Sequence, residues 1–153
     1  MLIATKSSKI ELSSEKKTEE LALIFFKKLK VGNIIFLHGE MGVGKTTFIR
    51  YLINIFQKEN EKDFTEVTSP TFNLLNEYHI NKIKINHYDL FRIKSTEEIK
   101  NLGLFENYTD SITLIEWPQM IKEKPKNLIE LYFEYGEDHI TRSVKIEGLD
   151  LKS

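Results

Sequence analysis

Residues 34–56 read IIFLHGEMGVGKTTFIRYLINIF, and this stretch decides the fold. It opens with an apolar run typical of a strand that is buried on both faces of a parallel sheet. A glycine-rich segment follows at residues 39–46, and apolar side chains then recur at helical spacing. These apolar positions are Phe48, Ile49, Leu52, Ile53 and Phe56. Strand, glycine-rich loop and helix stand in the order that a phosphate-binding loop requires.

The loop itself reads GEMGVGKT and matches the pattern G-x-x-x-x-G-K-[ST]. Its glycines permit backbone angles that turn successive N–H groups inward, and the helix behind them adds its positive N-terminal dipole. Lys45 is expected to reach the β- and γ-phosphates of a nucleoside triphosphate, and the Thr46 hydroxyl to ligate Mg²⁺. We therefore predict a site for ATP and Mg²⁺ rather than a glycine-rich turn with a solvated lysine. The loop residues assigned to this site are Gly39, Glu40, Met41, Gly42, Val43, Gly44, Lys45, Thr46 and Thr47.

Composition limits the class of protein. A length of 153 residues fits one domain, 1–153, with an ordinary share of hydrophobic (41%) and charged (29%) residues. Lys and Arg number 22 against 23 acidic residues, so the chain lacks the basic field of a stand-alone nucleic-acid binder. If it works near RNA or DNA, another subunit is expected to supply the phosphate contacts. The absence of cysteine excludes disulfides and a thiol nucleophile.

The N-terminal segment MLIATKSSKIELSSEKK has no apolar core long enough for a signal peptide. No window approaches the roughly 18 apolar residues of a membrane span. We therefore expect a cytoplasmic protein without a membrane partner.

Local patterns predict the remaining elements. Residues 9–12 are a plausible strand, and Ser13 and Ser14 offer N-caps for a helix that ends near Gly32. The apolar positions on one face of that helix are Leu21, Ile24, Phe25 and Leu29. Residues 74–78 and 82–86 are predicted to pair as a hairpin. Ser95 and Glu98 form a capping box that opens a short helix with Gly103 near its end.

Residues 112–115 are another strand of the buried type, and residues 128–135 and 141–147 alternate around a turn as a closing antiparallel pair. Together these patterns predict an α/β fold, a three-layer P-loop NTPase-like domain. Its central sheet is expected to be mixed but largely parallel, with a C-terminal antiparallel strand pair.

Two acids are candidates for the metal site. A phosphate-binding loop needs a carboxylate near Mg²⁺, usually at the end of a neighbouring apolar strand. Glu116 ends the stretch ITLIE and is the better match, whereas Asp89 ends a more polar, alternating stretch. Both could serve, one at the metal and one orienting water or a switch segment.

Four further residues have two interpretations each. Thr71, in the stretch SPTF, is either a switch hydroxyl near the γ-phosphate or part of a turn fixed by proline. Trp117 either stacks on a planar group or packs under the sheet. His87 is interpreted as packed or solvated rather than catalytic. Arg92 either forms an ion pair with Asp89, which is favoured, or contacts phosphate.

Four segments together resemble one family. They are GEMGVGKTTF (39–48), SPTFNLLNEY (69–78), HYDLFRI (87–93) and LIEWPQ (114–119). Their order and spacing are similar to those of the TsaE family, formerly YjeE, whose members are small bacterial ATPases required to make N6-threonylcarbamoyladenosine in tRNA. The resemblance extends from about residue 12 to 142, with Phe91 at a position where the family commonly has Tyr.

The resemblance implies roles for individual residues. Lys45 would be essential, Asp89 would be the second essential acid, and Thr46 and Glu116 would attend Mg²⁺. Thr71 would belong to a nucleotide-sensing loop and count among the catalytic residues. The nucleotide-binding residues implied outside the loop are Glu15 and Thr18 beside adenine, Trp117 and Arg142.

The resemblance also implies a weak intrinsic ATPase that docks on a TsaB-like subunit and a TsaD-like transferase. ATP binding and hydrolysis would reset that complex for turnover, and tRNA would be met only through the complex. One alternative is a small P-loop kinase, although Arg50, Arg92 and Arg142 are the only arginines and no arginine-rich lid is present. Another is a nucleotide-dependent binding module that does not hydrolyse ATP.

Overall fold

The computed structural model describes residues 9–70, 74–106 and 108–151. Its helices and strands follow one another along the chain as β1 (Lys9–Glu11), α1 (Glu15–Lys28), β2 (Ile34–His38), α2 (Lys45–Glu59), β3 (Leu75–Ile80), β4 (Ile83–Asp89), α3 (Thr96–Leu102), β5 (Ser111–Glu116), β6 (Leu128–Tyr135) and β7 (Arg142–Glu147). Short 3₁₀ turns cover Tyr108–Asp110 and Pro118–Met120.

The strands form one mixed sheet in the order β1-β7-β6-β2-β5-β4-β3. Strand β2 lies between β5 and β6 and is parallel to both, and β4 is parallel to β5. The outer pairs, β1 with β7, β6 with β7 and β3 with β4, are antiparallel. The predicted fold class is therefore confirmed, including the C-terminal antiparallel pair.

Strand β2 is buried on both sides, as its apolar run predicts. Ile35 and Leu37 belong to the cluster that packs under α1 and α2, whereas Ile34 and Phe36 belong to a second cluster on the opposite face. That second face is covered by α3 and the 3₁₀ turns, whose apolar residues pack against the same cluster. The sheet is thus the middle of three layers, and residues 34–37 of β2, which are buried between the other two, are all apolar.

Helix α1 begins and ends for different reasons. Ser14 is its N-cap, and the Ser14 hydroxyl accepts a hydrogen bond from the Lys17 N–H at 3.3 Å. The prediction that the helix ends near Gly32 is wrong. The helix stops at Lys28 because Leu29 adopts an extended backbone and lies in the core, and Gly32 follows in a turn with φ of +100°.

The other local predictions are confirmed. Strands β3 and β4 pair as a hairpin through a turn in which Asn81 has a positive φ of 54°. Ser95 caps α3 by accepting from the Glu98 N–H at 3.2 Å, and Gly103 ends that helix in the left-handed conformation. Within the described residues, no helix combines the length and apolar character needed to cross a membrane.

Phe48→Ala is expected to lower the free energy of unfolding by about 3–5 kcal/mol, because it leaves a cavity in the core. The Phe48 side chain is 0% exposed and meets the Phe25 ring edge-on, with ring centroids 5.2 Å apart. Chemical denaturation measures the change. Phe64→Ala is the matched control: Phe64 is 64% exposed, and its replacement should change the free energy of unfolding by less than about 0.5 kcal/mol. Equal losses in the two variants would contradict this account of the core.

Candidate phosphate-binding site

The glycine-rich loop joins the carboxyl end of β2 to the amino end of α2. Gly39, Gly42 and Gly44 all have positive φ, at 145°, 81° and 118°. A Cβ at Gly39 would also lie 2.8 Å from the carbonyl oxygen of Phe133 and 2.8 Å from Val43 Cγ1, so the sheet leaves no room for a side chain there. Gly44 is the N-cap of α2 and offers no side-chain hydrogen bond. The first N–H groups of α2 are therefore available to an anion.

Lys45 is folded back over the loop. Its Nζ donates a hydrogen bond to the Gly39 carbonyl oxygen at 2.5 Å and lies 3.7 Å from the centroid of the Trp117 ring. Burial lowers the pKa of the Lys45 ammonium from its ordinary value, whereas the negative charges of Glu116 and Asp89 act in the opposite direction. The ammonium thus lies in a poorly solvated place, where an additional anion would stabilise its positive charge.

The two candidate acids lie side by side. Asp89 ends β4 and Glu116 ends β5, and the parallel pairing places these residues in register. The Thr46 hydroxyl donates to Glu116 Oε1 at 3.2 Å. On the other side, the Ser69 hydroxyl lies 2.5 Å from Asp89 Oδ2 and 3.3 Å from Glu116 Oε2. Asp89 Oδ1 also accepts from the backbone N–H of Phe91 at 3.0 Å.

These groups surround one cavity of about 430 Å³. It is lined by Met41, Gly42, Gly44, Lys45, Thr46, Thr47, Ser69, Pro70, Asp89, Phe91, Arg92, Glu116 and Trp117. Hydroxyl and carboxylate oxygens, the Lys45 ammonium and the amino end of α2 all line it. The arrangement could hold a phosphate chain together with a hard cation that prefers oxygen ligands.

A second hollow, of about 210 Å³, lies beside the start of α2. Glu15, Thr18 and Arg142 line it, and it shares Gly44 and Thr47 with the first cavity. The structure therefore brings together the residues that the resemblance assigns to adenine and the loop assigned to phosphate.

Not every predicted site residue lines these spaces. Glu40 is exposed and lines neither of the two, and Gly39 contributes its carbonyl group to Lys45. Val43 is buried and borders the second hollow. Thr71 lies outside the described residues.

The structure is compatible with both interpretations of Trp117, since the indole packs against the second apolar cluster and also lines the cavity. The half-buried indole covers Lys45 and lies against Phe91, with ring centroids 4.9 Å apart, yet one part of it still faces the cavity. Trp117 itself has a positive φ of 57°. Arg92 lines the same cavity.

Sequence reasoning missed the part played by Ser69 and underrated His87. The sequence pattern points to Thr71 as the switch hydroxyl, whereas the structure places the hydroxyl of Ser69, in the same SPTF stretch, beside both acids. His87 is packed, as interpreted, but its Nε2 lies 2.7 Å from Glu116 Oε2. Its position two residues before Asp89 on a strand was the available signal, because alternate residues of a strand share a face.

Fold and loop together define a protein of the P-loop NTPase class. The crystal structure titled Bacillus subtilus YdiB has the same fold, with a TM-score of 0.65 over 94% of this chain and 84% of that chain, at 21% sequence identity. Residues 12–144 match the family described as "Threonylcarbamoyl adenosine biosynthesis protein TsaE". The chain belongs to the TsaE family, as the four sequence segments predict.

Individual relatives agree with the family match. A protein of Rickettsia bellii is 44% identical over 133 residues, which cover 86% of this chain and 90% of the relative. One from Nostoc is 33% identical over 138 residues, covering 86% of this chain and 80% of the relative. Both are named tRNA threonylcarbamoyladenosine biosynthesis protein TsaE.

Glu116→Gln is expected to lower the pKa of the Lys45 ammonium further, because it removes the stronger of the two attractions that oppose burial. NMR titration of the Lys45 side chain measures this pKa. Glu130→Gln is the matched control, since Glu130 is also buried but pairs with His38 and Lys124 away from the cavity. If the two variants gave the same pKa for Lys45, the electrostatic link between Lys45 and Glu116 would have to be abandoned.

Proposed function

We propose that this protein binds ATP with Mg²⁺ and hydrolyses it slowly, as an accessory subunit in the formation of N6-threonylcarbamoyladenosine in tRNA. The observation that carries the proposal is the meeting of Lys45, Thr46, Asp89 and Glu116 around the amino end of α2. A lysine and a helix N-terminus stabilise the negative charge of phosphates, whereas the hydroxyl and the carboxylates are oxygen groups that can hold Mg²⁺ or orient the attacking water.

The two adjoining spaces suit a nucleotide. Phosphates would lie against the loop in the larger cavity, and the base would enter the smaller hollow past Gly44 and Thr47. Arg142 borders that passage: its Nη1 lies 3.9 Å from where a Cβ of Gly44 would be. Any side chain at position 44 would therefore narrow the route between the two spaces.

The oxygen atoms present fit Mg²⁺. Thr46 Oγ1 and Glu116 Oε1 are 3.2 Å apart at the cavity wall, and Mg²⁺ takes hard oxygen ligands while keeping several waters. When bound, the ion would neutralise charge on the phosphates. Asp89, bonded to the Ser69 hydroxyl, would act beside it in orienting the attacking water or sensing the nucleotide.

The place of this ATPase in a larger assembly is inferred from its relatives' names and from charge. The relatives are named for tRNA threonylcarbamoyladenosine biosynthesis. A net charge of −1 does not favour direct binding of tRNA, because such binding depends on neutralising phosphates with Lys and Arg. We therefore assign it a TsaD-like transferase and a TsaB-like subunit as partners, with ATP turnover resetting their complex.

Lys45→Ala is expected to weaken ATP binding by about tenfold or more, because a charge-assisted hydrogen bond to phosphate contributes about 1.5–3 kcal/mol. Isothermal titration with ATP and ADP measures the affinity. Lys58→Ala, near the opposite end of α2, should bind ATP like the wild type. Unchanged ATP affinity in the Lys45 variant would contradict the proposal that the glycine-rich loop binds the nucleotide.

Co-elution with the partner proteins tests the second half of the proposal. Purified TsaB-like and TsaD-like proteins from the same genome should retain this protein on size-exclusion chromatography when ATP and Mg²⁺ are present. Repeated turnover of the tRNA-modifying reaction should require this protein, and the Lys45→Ala variant should not support that turnover. Separate elution under all nucleotide conditions, with turnover independent of this protein, would leave an ATPase without this role.

A further inference from the structure

His87 is a buried polar residue that lies behind the site without lining its cavity. Its side chain is 0% exposed, and its Nε2 lies 2.7 Å from Glu116 Oε2. The register of β4 and β5 pairs Asp89 with Glu116, so His87 reaches Glu116 diagonally from the neighbouring strand. This short contact joins the fully buried His87 to Glu116, the carboxylate proposed for the metal site.

The hydrogen-bonding partners decide the tautomer of His87. A carboxylate only accepts hydrogen bonds, so Nε2 carries the hydrogen and donates it to Glu116. Nδ1 is buried and has no partner among the residues that the structure describes. A buried N–H without an acceptor would lose its full hydration energy, so the form with hydrogen on Nε2 alone is the one that fits.

Glu116 depends on this donor more than on its other neighbour at Oε2. Ser69 has a single hydroxyl hydrogen, and its oxygen is 2.5 Å from Asp89 but 3.3 Å from Glu116. That hydrogen therefore belongs to Asp89, which leaves His87 as the donor to Oε2. The Glu116 side chain is almost fully buried, where a carboxylate without a donor would be costly.

We propose that His87 is a positioning residue for the cation site. Its Nε2–H holds Glu116 Oε2, so that Oε1 stays turned toward the Thr46 hydroxyl at 3.2 Å and the two oxygens are in place before a divalent cation arrives. A glutamate side chain has several rotatable bonds, and ordering it costs conformational entropy. Because His87 already holds one oxygen, cation binding has to meet less of this cost. The inference rests on the proposed ATP and Mg²⁺ site and adds the residue that orients its carboxylate.

Three variants separate positioning from simple core packing. His87→Gln keeps an N–H donor at similar reach, His87→Asn is too short to bring its N–H to Glu116, and His87→Leu fills the space without a donor. Cation affinity is measured without turnover by titrating Mn²⁺ into the ADP-bound protein. The electron paramagnetic resonance signal of free Mn²⁺ reports how much remains unbound. ADP affinity in EDTA and thermal unfolding are measured on the same samples.

The Leu and Asn variants should bind Mn²⁺ about 10–100-fold more weakly, the effect usual for removing a partner that orients a ligand. His87→Gln should recover most of the affinity, and ADP affinity in EDTA should be unchanged throughout. Thr113→Val is the control for disturbing a buried polar side chain of β5 away from the carboxylate. It should leave Mn²⁺ binding at the wild-type value.

The outcomes separate the inference from the function on which it rests. If the wild type binds neither ADP nor Mn²⁺, the proposed function fails. If the wild type binds both and the Leu variant keeps its Mn²⁺ affinity, the positioning role is overturned. Should the Leu variant not fold, Gln and Asn decide: equal Mn²⁺ affinity in these two overturns the role, and a loss confined to Asn supports it.

Discussion

The Glu116 carboxylate accepts hydrogen bonds from two elements that are far apart in the sequence. Thr46, in the first turn of α2, bonds one oxygen, and His87, on β4, bonds the other. Since Glu116 itself ends β5, this one buried group connects the end of the glycine-rich loop to the middle of the parallel sheet. A buried carboxylate needs such partners, and meeting that need brings the loop, both acids and the Ser69 segment to one edge.

The sheet supplies the rigidity that this arrangement requires. Parallel pairing of β4, β5 and β2 sets their carboxyl ends side by side, where ligands bind in open α/β sheets. Apolar clusters on both faces hold these strands, and the Phe25–Phe48 contact fastens α2 to α1 behind the loop. Lys45 therefore stays in a poorly solvated position next to two carboxylates, instead of extending into water.

Local chemistry explains which parts of the structure were predictable. The capping roles of Ser14, Ser95 and Gly103 are decided within a few residues along the chain, and all three are among the caps that the sequence predicts. The predicted end of α1 at Gly32 is wrong because glycine suits both a helix end and a later turn. The burial of Leu29 ends the helix earlier and leaves Gly32 in the turn. Burial of one side chain is a tertiary event that no local pattern contains.

The sequence by itself determined the glycine-rich loop, the strand before it and the helix after it, because these features depend on glycine positions and on hydrophobic spacing. It also determined that Asp89 and Glu116 end strands, but it left their relative roles open. Only the tertiary structure decided that these acids stand in register, that Ser69 bonds Asp89 and that His87 holds Glu116. Strand order and register arise from packing between segments distant in the chain, so the partners of a buried carboxylate are known only when the sheet has formed.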